Sequence, residues 1–494
     1  MQDEKSGQRS GAKPRQGPRI GLVAGPAVAL AMGLAPPPAG LDPAGWHTAA
    51  IAIWMAIWWM SEAVPLAATA LLPVALFPLA GIAPVATAAA PYANPLIFLF
   101  LGGFIIARAM ARWQLHRRLA WGVLRSVGTG PAAIVAGVMI TTAFLSMWIS
   151  NTATAMVMLP IGQAIAASMA ERSGDTAHAT RFSAALMLAI AYSATIGGMG
   201  TLIGTPPNAL LAGYMQDSHG VEIGFADWML IGVPTVLILL PVTWLLLTRI
   251  AFRLPWRDGA NAAGAGAALS DLPAPGPMGR EEKMVAAIMV VVALGWLTRP
   301  LIGSLLPGLP LSDAGIAIAG AIALFAIPAG PGQGTALLEW ADMKEIRWDV
   351  LILFGGGLAL AAAIASSGLS DWIGARVGTL EALPGWLLIL AVMTVIVYLG
   401  ELASNTAMAA CFLPVAGAVA VGMGEDPLAL ALPVALASSL GFMLPVATPP
   451  NAIVFGSGAL DARQMLRVGA ILDVVSILIV AVVALTLAPL VFGT

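Results

Sequence analysis

Polar residues are so sparse along this chain that its hydrophobic pattern reads as blocks rather than as a fine periodicity. Apolar stretches near 19–37, 44–60, 63–84, 94–112, 183–213, 229–250, 284–304, 313–329, 348–368, 428–458 and 467–491 approach or exceed the ~18 residues that carry a helix across a bilayer. Two further stretches, 128–168 and 386–421, differ: each has two apolar halves about a polar centre, ISNTATAM at 149–156 and ASNTAMAA at 403–410. A straight helix over either would run ~60 Å, about twice the hydrocarbon core. Each is therefore expected to form two half-crossing helices joined at a tip, a re-entrant hairpin. Such backbone is tolerated at membrane depth only where protein or a water-filled cavity surrounds it.

Composition sharpens this picture. Of 494 residues, 59% are hydrophobic and 10% charged, against about a quarter charged in soluble domains. The fold class is an all-α polytopic membrane protein with about 11 transmembrane helices plus two re-entrant hairpins. The single cysteine, Cys411, leaves no disulfide within the chain, and His47, His116, His178 and His219 show no metal-ligand spacing. The basic N-terminal stretch is read as a cytosolic tail before a first span, not a signal peptide. With the N-terminus inside and both hairpins returning to their own side, all of the 23 Lys and Arg except Arg299 and Arg376 fall on cytoplasmic segments, as the positive-inside rule requires. The basic cluster at 108–118 is read as a topology signal, and the Trp-rich IWMAIWWM at 53–60 as facing lipid or the interface.

The chain also repeats itself. LFLGGFIIARAMA (99–111) matches ILFGGGLALAAAI (352–364), SNTATAM (150–156) matches SNTAMAA (404–410), and GTPPNAL (204–210) matches ATPPNAI (447–453), in order. Each half holds an odd number of crossings, so the second enters the membrane inverted, and the two hairpin tips face one midplane site from opposite sides. The expected regions are a cytosolic tail (1–18), first-half scaffold helices (19–127) and a first-half transport region (128–254). A flexible cytosolic linker follows (255–283), then second-half scaffold helices (284–385) and a second-half transport region (386–494).

At a hairpin tip the backbone loses its helical partners. Freed carbonyls, Ser and Thr hydroxyls and Asn oxygens offer hard neutral ligands for an alkali cation, while helix N-termini favour an anion. Pro206, Pro207, Pro449 and Pro450 are expected to break the hydrogen-bond ladder. No Lys or Arg lies in the apolar parts of these motifs, so bound cations and a carboxylate substrate would screen one another. The plausible acids at membrane depth are Glu62 and Glu401. Glu401 either binds a coupling proton or holds its hairpin through backbone or hydroxyl bonds. The small polar residues of the triplets could also simply pack helices together, as the Gly102–Gly103 and Gly355–Gly357 runs are expected to do.

At SMWISNTATAMVMLP (146–160), GELASNTAMAACFLP (400–414), TLIGTPPNA (201–209), VATPPNA (446–452) and WWMSEAVPLAATALLP (58–73), the sequence resembles the divalent-anion/sodium symporter family. The resemblance implies a homodimer in the cell membrane whose transport regions slide as an elevator against a scaffold. It implies one sodium site at Ser146, Ser150, Asn151 and Gly204 and a second at Gly400, Ala403, Asn405 and Ala447. Substrate would meet Asn151, Thr152, Thr205, Asn405, Thr406 and Thr448, with Pro206 and Pro449 lining the site. Met408 and Ala447 depart from the pattern at positions where Thr and, by internal symmetry, Gly would stand.

The implied function is sodium-coupled symport of C4-dicarboxylates such as succinate, malate or fumarate. Sodium is co-transported, no organic cofactor is needed, the partners are substrate, ions and lipid, and no nucleic acid is expected. Citrate or sulfate transport, or sodium-independent dicarboxylate exchange, stay open; relatives that exchange are expected to carry a basic side chain near the tips. A different class is a proton-coupled ion antiporter in which Glu401 is essential. The absence of a charged filter ring, a metal constellation or a nucleophile–base pair argues against a channel or an enzyme.

Overall fold

The computed structural model of the chain describes residues 16–126, 128, 130–172, 175–254, 274–330, 335–376 and 384–493. The expected tail before residue 16 and the linker stretch 255–273 lie outside the described residues. Within them every element is helical, apart from a lone bridge between Pro328 and Ala336.

The first half holds α1 (Gln16–Leu34), α2 (Pro43–Ser61), α3 (Leu72–Leu79), α4 (Pro95–Arg112), α5 (Leu115–Ser126), α6 (Pro131–Ser146), α7 (Asn151–Arg172), α8 (Thr176–Gly198), α9 (Pro206–His219) and α10 (Phe225–Leu245). The second half holds α11 (Arg280–Leu305), α12 (Asp313–Ala326), α13 (Trp348–Ser366), α14 (Leu369–Arg376), α15 (Gly385–Gly400), α16 (Asn405–Gly422), α17 (Leu428–Ser438), α18 (Pro449–Phe455) and α19 (Ala462–Phe492). Helix ends follow local chemistry. Asp175 opens α8 by accepting from the N–H groups of Ala177 (2.9 Å) and His178 (3.1 Å), and Asp461 with Gln464 forms a capping box on α19.

Both triplets sit at helix–turn–helix tips. Residues 147–150 join α6 to α7, and 401–404 join α15 to α16. α7 has 22 residues and α16 has 18, about 33 and 27 Å at 1.5 Å per residue, so each is long and apolar enough to cross a bilayer. Pro160 and Pro414 lie inside these helices without ending them.

The apolar stretches 183–213 and 428–458 are interrupted in the middle. α8 and α17 are almost wholly buried and end in unwound segments, 199–205 and 439–448. The prolines of each TPPN run then begin α9 and α18 at their first two positions, where the missing N–H costs nothing. They restart helices rather than break them.

The halves interlock reciprocally: α7 packs on α18, and α16 packs on α9. The Gly-rich runs serve close crossings, as expected. A Cβ on Gly102 would stand 2.6 Å from that of Ala317, and one on Gly356 would stand 2.3 Å from Ala70 O. Outward faces carry Leu237, Val291 and Val482, each more than half exposed, as lipid contact demands. The 53–60 stretch is not all outward-facing. Met55 and Trp59 are fully buried, and Trp59 Nε1 donates to Leu66 O at 3.0 Å, because an indole N–H in the interior needs an acceptor. The 108–118 arginines are also structural: Arg108 and Arg112 pair with Asp342, and Arg118 with Glu282. The Asp342 carboxyl is held below its usual range: burial pushes it up, but the Glu339 N–H and the two arginines outweigh this.

Candidate functional site

The two tips and the two unwound segments meet around a cavity of about 740 Å³. It is lined by Ser150, Asn151, Thr152, Gly204, Thr205 and Pro206 from the first half, and by Ala403, Ser404, Asn405, Thr406, Ala447, Thr448 and Pro449 from the second. Of the residues expected to bind sodium or substrate, Ser146 and Gly400 do not line it; both are buried behind the tips.

Four helices begin at this cavity: α7 at Asn151, α16 at Asn405, α9 at Pro206 and α18 at Pro449. The first residues of α7 and α16 offer backbone N–H groups with no partner inside the helix, whereas the prolines that open α9 and α18 offer none, so those two ends contribute only their helix dipoles. Thr205 and Thr448 hold extended N-cap conformations, φ −143° and −135°. The Thr448 hydroxyl accepts from Asn451 N–H at 3.4 Å, and the Ser150 hydroxyl from Ala153 N–H at 3.3 Å.

Behind the first tip, the Asn151 amide turns toward oxygens on every side: Ser146 Oγ at 2.7 Å, Ala194 O at 3.1 Å and Gly204 O at 3.3 Å. With Nδ2 placed there, it donates to all three. With Oδ1 placed there, four neutral oxygens crowd one spot and call for a cation among them. Such a hard-oxygen set suits an alkali ion. The crowding requires bare backbone: a Cβ on Gly198 would lie 2.4 Å from Asn151 Oδ1, and one on Gly204 would lie 2.4 Å from Gly198 O.

The second tip has the same outline with fewer oxygens. Asn405 Oδ1 is buried without a hydrogen-bond partner, and Gly400 brings no hydroxyl where the first half has Ser146. Ala447 is accommodated because its Cβ lies 3.5 Å from where one on Gly441 would stand, so this segment is less tightly closed.

Four features escaped sequence reasoning. The Ala194 carbonyl comes from a neighbouring helix and leaves no mark in the motif. Asn208 and Asn451 are fully buried and act as matched clamps. Asn208 Nδ2 donates to Gly198 O (3.1 Å) and Thr201 O (2.7 Å), and Asn451 Nδ2 to Gly441 O (3.2 Å) and Leu444 O (3.0 Å).

Arg347 and Asp349 also line the cavity, so a basic side chain stands there although the motifs themselves carry none. It begins a second-half helix far in sequence from either tip. Its guanidinium is engaged by Asp349 through two bonds, 2.9 and 2.8 Å. Finally, Asp473 is a fully buried acid inside α19, passed over although an Asp inside an apolar helix is itself a signal. Among the described residues no three His, Cys, Asp or Glu side chains come together as a metal site.

Two repeated halves, each with a broken helix and a helical tip facing a shared polar cavity, define a polytopic membrane transporter. A family model described as the sodium:sulfate symporter transmembrane region matches residues 19–493, and the chain belongs to that family. It is similar to the sodium-dependent dicarboxylate transporter SdcS of Staphylococcus aureus, 42% identical over 484 residues, covering 97% of this chain and 92% of the relative. Its fold is similar to the YdaH transporter of Alcanivorax borkumensis (TM-score 0.58, 14% identity, 90% of this chain and 98% of that one). It is also similar to MtrF of Neisseria gonorrhoeae (TM-score 0.54, 14% identity, 90% and 95%).

Proposed function

We propose that this chain is a sodium-coupled symporter of C4-dicarboxylates such as succinate, malate or fumarate. The observation that carries this reading is the meeting of four helix N-termini, with Asn151, Thr152, Asn405 and Thr406, at one cavity. Their dipoles favour a dianion without a permanent cation at the tips. In this reading sodium ions bind behind the tips, one with Ser146, Ser150, Asn151 and Gly204 and the other with Gly400, Ala403, Asn405 and Ala447. Substrate then bridges Asn151, Thr152, Thr205, Asn405, Thr406 and Thr448 beside Pro206 and Pro449. Each ion lowers the electrostatic cost of the other, which is a coupling free energy between the sites. The name of the Staphylococcus relative supports both the ion and the substrate class.

The working form in this reading is a homodimer in the cell membrane with its N-terminus in the cytoplasm. Regions 128–254 and 386–494 move as an elevator against scaffold regions 19–127 and 284–385.

The test is uptake of radiolabelled succinate into proteoliposomes under an inward sodium gradient, and again with potassium in place of sodium. Uptake only with sodium, blocked by excess malate and not by sulfate or citrate, is the expected result; equal uptake in potassium overturns symport. One observation favours a second reading. Arg347 gives the cavity a basic side chain of the kind expected of an exchanger, though Asp349 neutralises it. Sodium-independent uptake that requires dicarboxylate inside the vesicle would select exchange.

A further inference from the structure

A tryptophan–arginine pair occurs once in each half, outside the motifs that build the tips. Trp121 and Arg125 stand four residues apart just before VGT at 127–129, and Trp372 and Arg376 stand four apart just before VGT at 377–379. Each pair lies on the short helix that precedes a tip's first arm, α5 before α6 and α14 before α15. In both, the guanidinium lies over the indole, 4.7 and 4.2 Å from the ring centroid. Their partners differ. Trp372 Nε1 (3.2 Å) and Arg376 Nη2 (3.1 Å) both donate to the Ala39 carbonyl. In the first pair, no protein oxygen among the described residues accepts from Trp121 Nε1 or from the Arg125 guanidinium.

α5 is an amphipathic helix that follows directly on the membrane-crossing α4. Leu115, His116, Ala120 and Leu124 are buried, while Arg117, Trp121 and Arg125, spaced four apart, share the other face. Beside that face lies a second cavity of about 310 Å³, walled in part by Arg117, Trp121, Leu124 and Ile161 of α7. Its size is at the small end of the ~300–1,000 Å³ of small-molecule sites. Its charge is one-sided. Arg118 is satisfied by Glu282 (2.5 and 2.9 Å) and by Gly276 O (2.8 Å). Arg117 donates to the Gln114 amide oxygen at 3.2 Å, and among the described residues no acid pairs with Arg117 or Arg125. Two uncompensated guanidiniums therefore flank an indole, and Leu124 and Ile161 give the same cavity an apolar wall. That pattern suits an anionic amphiphile. A free phosphate gains nothing from the apolar wall, and the ammonium of a zwitterionic lipid finds no unpaired carboxylate.

We propose that this cavity binds the headgroup of an anionic phospholipid from the surrounding bilayer, with its phosphate on Arg117 and Arg125 and its glycerol backbone against Trp121, Leu124 and Ile161. The walls come from α5, from α7 and, through Ala274, Pro275 and Glu282, from the chain that opens the second half. A lipid held there joins the segments on either side of the first tip. The site does not depend on the transport reading.

The test is native mass spectrometry of the purified full chain in neutral detergent, titrated with phosphatidylglycerol or with phosphatidylcholine. The wild type is expected to retain phosphatidylglycerol in clear preference. An arginine near an anionic lipid is worth roughly fivefold in affinity. Arg117→Gln and Arg125→Gln should each weaken retention of phosphatidylglycerol by about that factor, and the double variant by roughly thirtyfold. Both side chains are exposed, so the variants should elute as folded protein; if the double variant does not, the single variants decide. As a control, Arg463→Gln with Arg467→Gln removes two exposed arginines from the start of α19 and should leave retention unchanged. An equal loss in that control means general surface attraction and overturns the site. Equal retention of the two lipids by the wild type does the same. Displacement of phosphatidylglycerol by inorganic phosphate or glycerol phosphate at matching concentrations would make the cavity a soluble-anion site and overturn the lipid assignment.

Discussion

Asn151 and Asn405 each stand where a helix begins, a tip ends and the two halves meet. Asn151 is enclosed by the oxygens of Ser146, Ala194 and Gly204, and Asn405 Oδ1 is buried with no protein donor. A side chain whose oxygen lacks a protein partner is poised to serve a ligand. Removing a hydrogen bond to a charged group costs about 1.5–3 kcal/mol, or roughly ten- to a hundredfold in affinity. Asn151→Ala and Asn405→Ala should each lower sodium-driven succinate uptake by at least about that factor while eluting as folded protein in size-exclusion chromatography. Near-normal uptake in both variants would remove these residues from the site. At this scale the sequence was informative wherever chemistry travelled with a motif: Asn151, Thr152, Asn405 and Thr406 reach the cavity together. It was silent on Ala194, whose contribution is a carbonyl, a group every residue owns. It was equally silent on Arg347, brought in by the packing of a helix far from both triplets.

At the scale of elements, the unwound segments matter more than the helices they interrupt. A stretch of backbone without helical bonds stays in one shape only if its carbonyls and N–H groups find other partners. Asn208 and Asn451 supply these at matching positions, the first bridging Gly198 and Thr201, the second Gly441 and Leu444. The TPPN runs are legible as special because two prolines cannot sit mid-helix. That the Asn points back into the loop rather than toward substrate follows only from the fold. Truncating either side chain leaves buried carbonyls unpaired, at about 1–3 kcal/mol. Asn208→Ala and Asn451→Ala should therefore both lower the midpoint of thermal unfolding in detergent, together with transport. A loss of uptake with an unchanged midpoint would instead make these amides substrate ligands. The halves are not equal in this respect, since only the second adds the carboxylates of Glu401 and Asp473 to its clamp.

At the scale of the molecule, the reciprocal packing of α7 on α18 and α16 on α9 joins residues 128–254 to 386–494, the regions we propose to move together. These residues pack against 19–127 and 284–385 at several places, and one of them can be locked. A Cβ built on Gly103 of α4 lies 3.6 Å from the Cβ of Ile203 in the first unwound segment, within the ~3.5–4.5 Å that a disulfide spans. In the elevator reading, Gly103 belongs to the scaffold and Ile203 to the part that slides. In a Cys411→Ala background, Gly103→Cys with Ile203→Cys should cross-link on mild oxidation. Uptake should then fall to background and recover when a reductant opens the bond. Each single variant should keep its activity under the same oxidant, which separates tethering from damage. If the cross-linked protein transports at the full rate, Ile203 does not move past α4 during the cycle. Alternating access would then have to come from the tips and unwound segments opening in place, with the two matched clamps as hinges rather than as parts of a rigid carriage.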